Sequence, residues 1–180
     1  MRGVIFTEFL DMVEERYSED MVDNIIDASD LSTDGAYTSI GTYNKSEFVQ
    51  LIGNLSQQTG VQVPQLLEQT GRHLFRSFVR LQPEFFAGLN CCFDFVVAFE
   101  GFLHADIRRL YNDNELPGLK TTFLDEKTLK LQYISVQKFK ELMEGLIREC
   151  IEYFKEKIDL EIEDHSAADT ANVDFILRKA

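Results

Sequence analysis

The spacing of apolar residues changes from helical to alternating along the chain, and this change limits the folds that the sequence can adopt. Up to about residue 111, apolar residues recur three and four positions apart, as in residues 5–13, which is typical of amphipathic helices. After Gly118 the pattern alternates, as in residues 158–162, and one further helical stretch interrupts it. Helices followed by a β-β-α-β-β order predict an α+β fold with a four-stranded antiparallel sheet.

The boundaries of the predicted elements follow from turn and cap residues. Ser46 is a plausible N-cap of a helix that ends near Gly60, and Pro64 begins a second helix that runs to about Arg80. Pro83 breaks the pattern, and a further helix follows until about Tyr111. The remaining predicted segments are strands at 121–124, 127–135, 158–162 and 172–177 and a helix at 136–154.

The charge of the chain excludes several classes of partner. It has 180 residues, with 18 Lys and Arg against 31 Asp and Glu, a net charge of −13. Nucleic-acid binding depends on Lys and Arg that neutralise phosphates, and anionic lipid surfaces attract the same residues. No apolar run approaches the roughly 20 residues of a membrane span, and the first ten residues lack a signal-peptide pattern. We therefore expect a cytoplasmic protein with no nucleic-acid or membrane partner.

The three cysteines indicate reduced, mostly buried thiols. Cys91, Cys92 and Cys150 are odd in number and two are adjacent, which does not match a disulfide framework. No Cys-x-x-Cys and no Cys/His cluster is present, so the cysteines predict no zinc site.

Two small patterns are consistent with ligand binding, but each also has an ordinary structural interpretation. His104 lies on an apolar helix one turn after Gly101, where a glycine costs about 1 kcal/mol and would let a flat group lie against the helix. An imidazole there could ligate iron, or it could be an ordinary core or surface histidine. Tyr133 and Ser135 point to one side of a strand and could donate to a carboxylate, or could simply face solvent.

The other candidate residues carry no assigned chemistry. Pro117 either packs against a cofactor or makes a turn. His73 is expected to be exposed or to cap a helix, and His165 lies in an acidic turn. The sequence contains no P-loop, dinucleotide-binding glycine pattern, G-x-S-x-G or H-E-x-x-H, which argues against an enzyme.

Taken together, these segments resemble the H-NOX (haem nitric oxide/oxygen binding) domains, bacterial stand-alone relatives of the haem domain of soluble guanylate cyclase. The resemblance covers essentially all 180 residues in matching order. It implies a b-type haem between a helical N-terminal subdomain, about residues 1–62, and an α+β subdomain, about residues 63–180. The segments that carry the resemblance are residues 1–6, 71–75 and 83–88, His104, Leu116-Pro117, Tyr133-x-Ser135 and residues 145–147.

The resemblance implies a role for each matching residue. His104 would be the proximal iron ligand, and Ile5 and Pro117 would press on the haem. Tyr133 and Ser135 match the first two positions of the family's Tyr-x-Ser-x-Arg propionate motif. The third position is Gln137, which lacks the charge and the bidentate fork of Arg. We expect weaker haem affinity, or propionates held differently with help from Lys138.

The distal residues that the resemblance implies offer no hydrogen-bond donor. Leu142 occupies the position at which oxygen-binding members carry a Tyr. Without a donor, bound O₂ loses stabilisation whereas NO does not, so the expected ligands are NO and CO, without a stable O₂ complex. This distal set consists of Ile5, Phe9, Leu74, Phe78, Leu142 and Leu146.

The family mechanism implies a sensor without catalytic output. NO would break the bond between iron and His104, and the resulting movement would regulate a histidine kinase or a cyclic-di-GMP enzyme (a diguanylate cyclase or phosphodiesterase). The family's zinc-site cysteines are missing from residues 164–169, so no zinc is expected. The alternative is a haem-free or weakly haem-binding interaction module of the same fold, which Gln137 motivates.

Overall fold

A computed structural model describes the backbone of residues 1–107 and 118–180 and the side chains of residues 1–103 and 118–180. The described residues form seven helices and four strands, so the predicted α+β class is confirmed. The helices are α1 Gly3–Arg16, α2 Glu19–Asp27, α3 Lys45–Thr59, α4 Val63–Leu81, α5 Pro83–Phe86, α6 Cys92–Ile107 and α7 Lys140–Tyr153. The strands are β1 Gly118–Phe123, β2 Thr128–Ser135, β3 Ile158–Asp164 and β4 Ala171–Lys179.

The four strands form one antiparallel sheet in the order β1-β2-β4-β3. Tyr133 of β2 is paired with Leu119 of β1 on one side and with Val173 of β4 on the other. All three side chains are buried, so this face of the sheet packs on the core.

The buried side chains fall into two hydrophobic clusters. The N-terminal cluster combines α1, α3 and the first half of α4, including Leu66 and Leu67. The C-terminal cluster combines the sheet, α6, α7 and the second half of α4, including Phe75. Helix α4 therefore contributes to both clusters.

Two glycines allow α4 and α7 to pack with their backbones in contact. A Cβ at Gly71 would overlap the carbonyl oxygen of Leu142, and a Cβ at Gly145 would overlap that of Glu68. Beside this contact Arg72 of α4 pairs with Glu149 at 3.1 Å and with Glu152 at 2.7 Å on α7.

Several local predictions need correction. The N-cap of α3 is Asn44, whose side chain accepts from the Ser46 amide, so Ser46 is not the cap. The four-residue helix α5 begins at Pro83, where the sequence pattern indicated only a break. The helix predicted to reach Tyr111 is described as far as Ile107; its predicted end and Pro117 lie outside the described residues.

The cysteines are free thiols: Cys92 and Cys150 are buried and Cys91 is half-buried. Burial and the neighbouring Cys92 raise the pKa of the Cys150 thiol, which keeps its proton at neutral pH. Among the helices of the described residues, not one combines the length and the apolar character needed to span a bilayer.

Candidate functional site

The hydroxyls of Tyr133 and Ser135 lie together at the end of β2, as the strand period predicts. Both residues are about 4% exposed. Burial raises the pKa of the Tyr133 hydroxyl, against the opposing effects of hydrogen bonds with Ser135 and the Phe139 amide. Tyr133 therefore remains protonated at neutral pH and is able to donate to an anion.

Gln137 follows on the segment between β2 and α7, and hydrogen bonds tie its backbone to β2 and to α3. Its backbone amide donates to Ser135 Oγ at 3.1 Å, and its carbonyl accepts from Lys45 Nζ of α3 at 2.6 Å. The side-chain Oε1 of Gln137 is buried and has no hydrogen-bond partner. The site therefore holds a polar atom for which the described residues supply no partner.

Lys138, considered above as a further propionate donor, has a different contact. Its ammonium donates to the carbonyl oxygen of Ala168, and its backbone adopts a positive φ of 56°. The basic group that donates to Gln137 is instead Lys45, whose Nζ also lies 4.8 Å from the ring centre of Phe139.

Helix α6 presents an open face at Gly101. This glycine is exposed, and a Cβ built on it would meet no described atom within 4 Å apart from those of its own helix backbone and its chain neighbours. His104 lies one turn further on in the same helix, and its side chain belongs to the part of the chain that is not described. A glycine in a helix interior costs about 1 kcal/mol relative to alanine, and its missing side chain leaves room for a flat group to approach the helix.

The distal set lies on three helices. Ile5 and Phe9 come from α1, Leu74 and Phe78 from α4, and Leu142 and Leu146 from α7. The backbone contact at Gly71 brings α4 beside Leu142 and Leu146 of α7.

The side chains of the distal set pack in different surroundings. Phe9 is fully buried in the N-terminal cluster and packs against Phe48 with ring centres 5.2 Å apart. Phe78 packs against Phe99 and Phe102 of α6, with ring centres 5.8 and 5.2 Å apart. Helix α4 thus joins α6, which carries His104, to the helices that carry the rest of the set.

Two open clefts lie away from these residues. One, of about 470 Å³, is lined by residues 157–159 and 178–180. The other, of about 350 Å³, is lined by side chains of α4 and α7, among them Phe75 and Tyr153. Neither is lined by a residue predicted for the site.

A polar cluster between α1 and α4 was missed by the sequence analysis. His73, expected to be exposed or to cap a helix, is only 3% exposed, and its Nε2 lies 3.2 Å from Oε2 of Glu8, which is 6% exposed. Asp11 and Glu15 follow on the same face of α1. The signal was present, since residues 8, 11 and 15 are helically spaced acids.

The residues present fit a haem. The two hydroxyls at positions 133 and 135 suit carboxylates, the face at Gly101 suits a flat ring, and the distal set is wholly apolar. The residue at position 137 fits less well, since a neutral amide replaces a cation.

Comparisons with known proteins agree on one family. The sequence model of the family described as haem-NO-binding matches residues 2–162. No curated protein is significantly similar to the chain.

Solved structures match over the whole chain. The Fe(II) unliganded H-NOX protein from K. algicida is 34% identical, with a TM-score of 0.86 over 100% of this chain and 97% of that one. A mutant of the same protein is 35% identical, with a TM-score of 0.87 and the same coverage. An oxygen-binding H-NOX domain related to soluble guanylate cyclases is 20% identical, with a TM-score of 0.88 over 99% of this chain and 95% of that one, and this likeness concerns the fold alone.

Proposed function

Because the chain belongs to the haem-NO-binding family of haem-binding gas-sensor domains, we propose that it is a haem-based sensor of nitric oxide. In this proposal His104 ligates the iron of a b-type haem, and the site also binds CO but forms no stable O₂ complex. The observation that carries the choice of gas is the distal set, in which no side chain has a hydrogen-bond donor. Bound O₂ needs such a donor far more than NO does.

Tyr133 and Ser135 are the proposed propionate anchors. Their buried hydroxyls lie together, and Tyr133 stays protonated at neutral pH, which supports donation to a carboxylate. Gln137 is proposed to contribute its amide, which is a weaker interaction than an Arg would make. Ile5 and Pro117 are proposed to press on the ring, as in the family pattern.

The proposed signal passes through helix packing. His104 would hold a ferrous haem, whose iron would bind NO and in doing so would weaken the bond to the imidazole. Release of the His104 imidazole would remove a restraint on α6, whose Phe99 and Phe102 pack on Phe78 of α4. Since α4 contributes to both hydrophobic clusters, a shift of α6 also displaces the N-terminal cluster. Two packed arrangements biased by a ligand constitute a switch.

The proposed output is the regulation of a separate signalling protein in the cytoplasm. A histidine kinase or a diguanylate cyclase or phosphodiesterase is the kind of partner that the resemblance implies, and we propose no catalytic activity for the chain itself. The proposed moving parts are the subdomains of about residues 1–62 and 63–180. The presence of two hydrophobic clusters supports two moving parts, with α4 contributing to both clusters.

The absorption spectrum tests this proposal directly. We expect purified protein to show a strong Soret band, and NO to convert it to a five-coordinate nitrosyl spectrum. His104→Gly should lose haem during purification and regain it when imidazole is supplied. Retention of haem by this variant with an unchanged spectrum would show that His104 is not the ligand.

A haem-free interaction module is the second candidate, and Gln137 favours it. The cation of the propionate motif is absent, and the Gln137 Oε1 is buried without a partner. Colourless protein that does not take up added hemin would favour this candidate over the sensor. Gln137→Arg separates the two further, because it should raise haem affinity only if propionates occupy the site.

A further inference from the structure

The acid–histidine cluster between α1 and α4 (Glu8, Asp11, Glu15 and His73) is not used by the sensor mechanism. Ligand atoms of Glu8, Asp11 and His73 all lie within 4.8 Å of one another. Glu8 and His73 are both more than nine-tenths buried, whereas Asp11 is exposed. The cluster therefore closes on the inner side and opens to solvent through Asp11.

Two buried atoms in this cluster face each other without forming a hydrogen bond. Glu8 Oε2 and His73 Nε2 lie 3.2 Å apart, within ion-pair distance but without hydrogen-bond geometry, and neither atom has a hydrogen-bond partner elsewhere among the described residues. Leaving a buried polar atom unpartnered costs about 1–3 kcal/mol, and more when it is charged. Two ligands of one zinc ion, each about 2.0–2.2 Å from it, are separated by about 3.0–3.5 Å. The observed separation matches that of two ligands on one metal.

The charge of the cluster favours a cation. Three carboxylates from α1 face one imidazole and Arg80, whose guanidinium donates to Ser77 Oγ at 3.2 Å. Asp11 has Glu8 and Glu15 as like-charged neighbours, against His73 and Arg80 as the opposing groups. A divalent cation at this point would remove the repulsion.

Glu15, the fourth member of the cluster, lies beside the ring nitrogen of His73 that does not face Glu8. Oε2 of Glu15 lies 3.5 Å from Nδ1 of His73, on the side of the ring away from Glu8. A carboxylate on the far nitrogen fixes the tautomer and the orientation of a ligating imidazole.

We propose that Glu8, Asp11 and His73 form a binding site for a divalent metal ion of the zinc class, with Glu15 positioning the imidazole. One nitrogen and two carboxylate ligands suit zinc, whereas magnesium and calcium prefer oxygen ligands alone. The site would join α1, which carries Ile5 and Phe9, to α4, which carries Leu74 and Phe78. The expectation of no zinc concerned the missing cysteines of the tail, and this site uses different ligands elsewhere.

Zinc titration of the full chain tests the proposal. We expect calorimetry with ZnCl₂ to give one equivalent per chain, independent of the haem content measured as iron, and MgCl₂ to give no binding. His73→Gln and the exposed substitution Asp11→Asn should both abolish stoichiometric binding. Glu15→Gln should weaken it about tenfold or more, as loss of a supporting carboxylate typically does.

The matched control is His165→Gln. His165 belongs to a second cluster, with Glu163 and Asp174, whose ligand atoms are equally close together but where two of three residues are exposed. This variant should bind zinc as the wild type does, and zinc should raise the melting temperature of the wild type and of this variant, but not of His73→Gln.

Three results would overturn the proposal. They are absence of zinc binding by the folded wild type, unchanged binding by Asp11→Asn, and loss of binding in His165→Gln. X-ray absorption at the zinc K-edge that shows sulfur ligands would likewise contradict the proposal, because the zinc ion would then be coordinated by cysteines. None of these readouts depends on haem, so the sensor proposal stands or fails separately.

Discussion

Leu142 is the residue at which the proposed choice among gases can be changed. It lies on α7 against the backbone of Gly71, in the seam between α4 and α7. A leucine there fills space but donates no hydrogen bond, so a bound gas receives only apolar contacts from the distal set.

Leu142→Tyr should therefore create an O₂-binding protein. The phenol would supply the donor that partly negative O₂ requires, and a long-lived oxygen complex should appear in the absorption spectrum in air. Leu142→Phe is the control, since it adds the ring without the hydroxyl. A stable O₂ complex in the wild type would contradict the proposed preference for NO.

Gly101 offers a second test at a single residue, because the space beside it is open. Gly101→Ala should stabilise the haem-free protein by up to about 1 kcal/mol, as alanine does in a helix interior. If a haem lies against this face, the added methyl group should also increase the rate at which haem is lost to a scavenging globin.

Gly53→Ala is the matched control for this variant. Gly53 also lies inside a helix with no atom within 4 Å of a built Cβ, but on α3, away from α6. It should give the same gain in stability and no change in haem loss. Equal rates of haem loss in both variants would argue against a haem at Gly101.

The sequence predicted some residues of this site and misjudged others. The pairing of Tyr133 and Ser135 follows from the two-residue period of a strand, which tertiary contacts do not alter. The burial of His73 depends on which face of α4 meets α1, and a single sequence contains no such information. The cap of α3 differs by two residues because Asn44 and Ser46 are both good capping residues.

At the scale of elements, the contact between α4 and α7 is the closest helix packing described above. Gly71 and Gly145 each lie against the backbone of the opposite helix, and Arg72 links the two helices through Glu149 and Glu152. Hydrogen bonds with these acids hold the pKa of Arg72 above its ordinary value, despite the opposing effect of burial.

Gly145→Ala should separate these helices and destabilise the protein. The added Cβ would overlap the carbonyl oxygen of Glu68, and backbone atoms cannot move aside as a flexible side chain would. We expect a loss of about 1–3 kcal/mol, the usual cost of overpacking, measured by urea unfolding. Gly53→Ala again serves as the control, and an equal gain in both variants would show that the close contact is not limiting.

The elements themselves were largely predictable, but their arrangement was not. The change from helical to alternating spacing was enough to predict the order of the main helices and strands. The strand order β1-β2-β4-β3 depends on contacts that the local pattern does not specify. Helix α5 was missed because four residues contain too few apolar positions to show a period.

At the scale of the whole molecule, acid should unfold the protein through its carboxylates. Burial tends to raise the pKa of Glu47, but hydrogen bonds from the Ser32, Tyr37 and Thr33 side chains lower it below the ordinary value of 4.5. The Lys140 and Ser166 side chains lower the pKa of Asp164 to about 2. Asp11 acts in the opposite direction, since its pKa is raised.

A carboxylate whose pKa is lower in the folded state stabilises the fold at any pH above its pKa in the unfolded state. This contribution is lost as the pH falls through the pKa of the folded state. The urea midpoint should therefore fall steadily below about pH 4.5.

Glu47 accepts from Ser32, Thr33 and Tyr37 at 2.6–2.9 Å. Glu47→Gln should cost about 1–3 kcal/mol at pH 7 and flatten the acid slope. The same slope in this variant would contradict the assignment, and Glu126→Gln on an exposed turn is the control.

The membership of α4 in both hydrophobic clusters has a consequence for dissecting the chain. A fragment cut after residue 62 would keep α1 to α3 but would forfeit Leu66, Leu67 and the Phe139 ring that cover their apolar side. Such a fragment would expose apolar surface and tend to aggregate. The remainder would begin with the 19-residue helix α4, whose first half would expose its apolar side chains to water. Because α4 belongs to both clusters, we expect neither cluster to fold as an independent fragment.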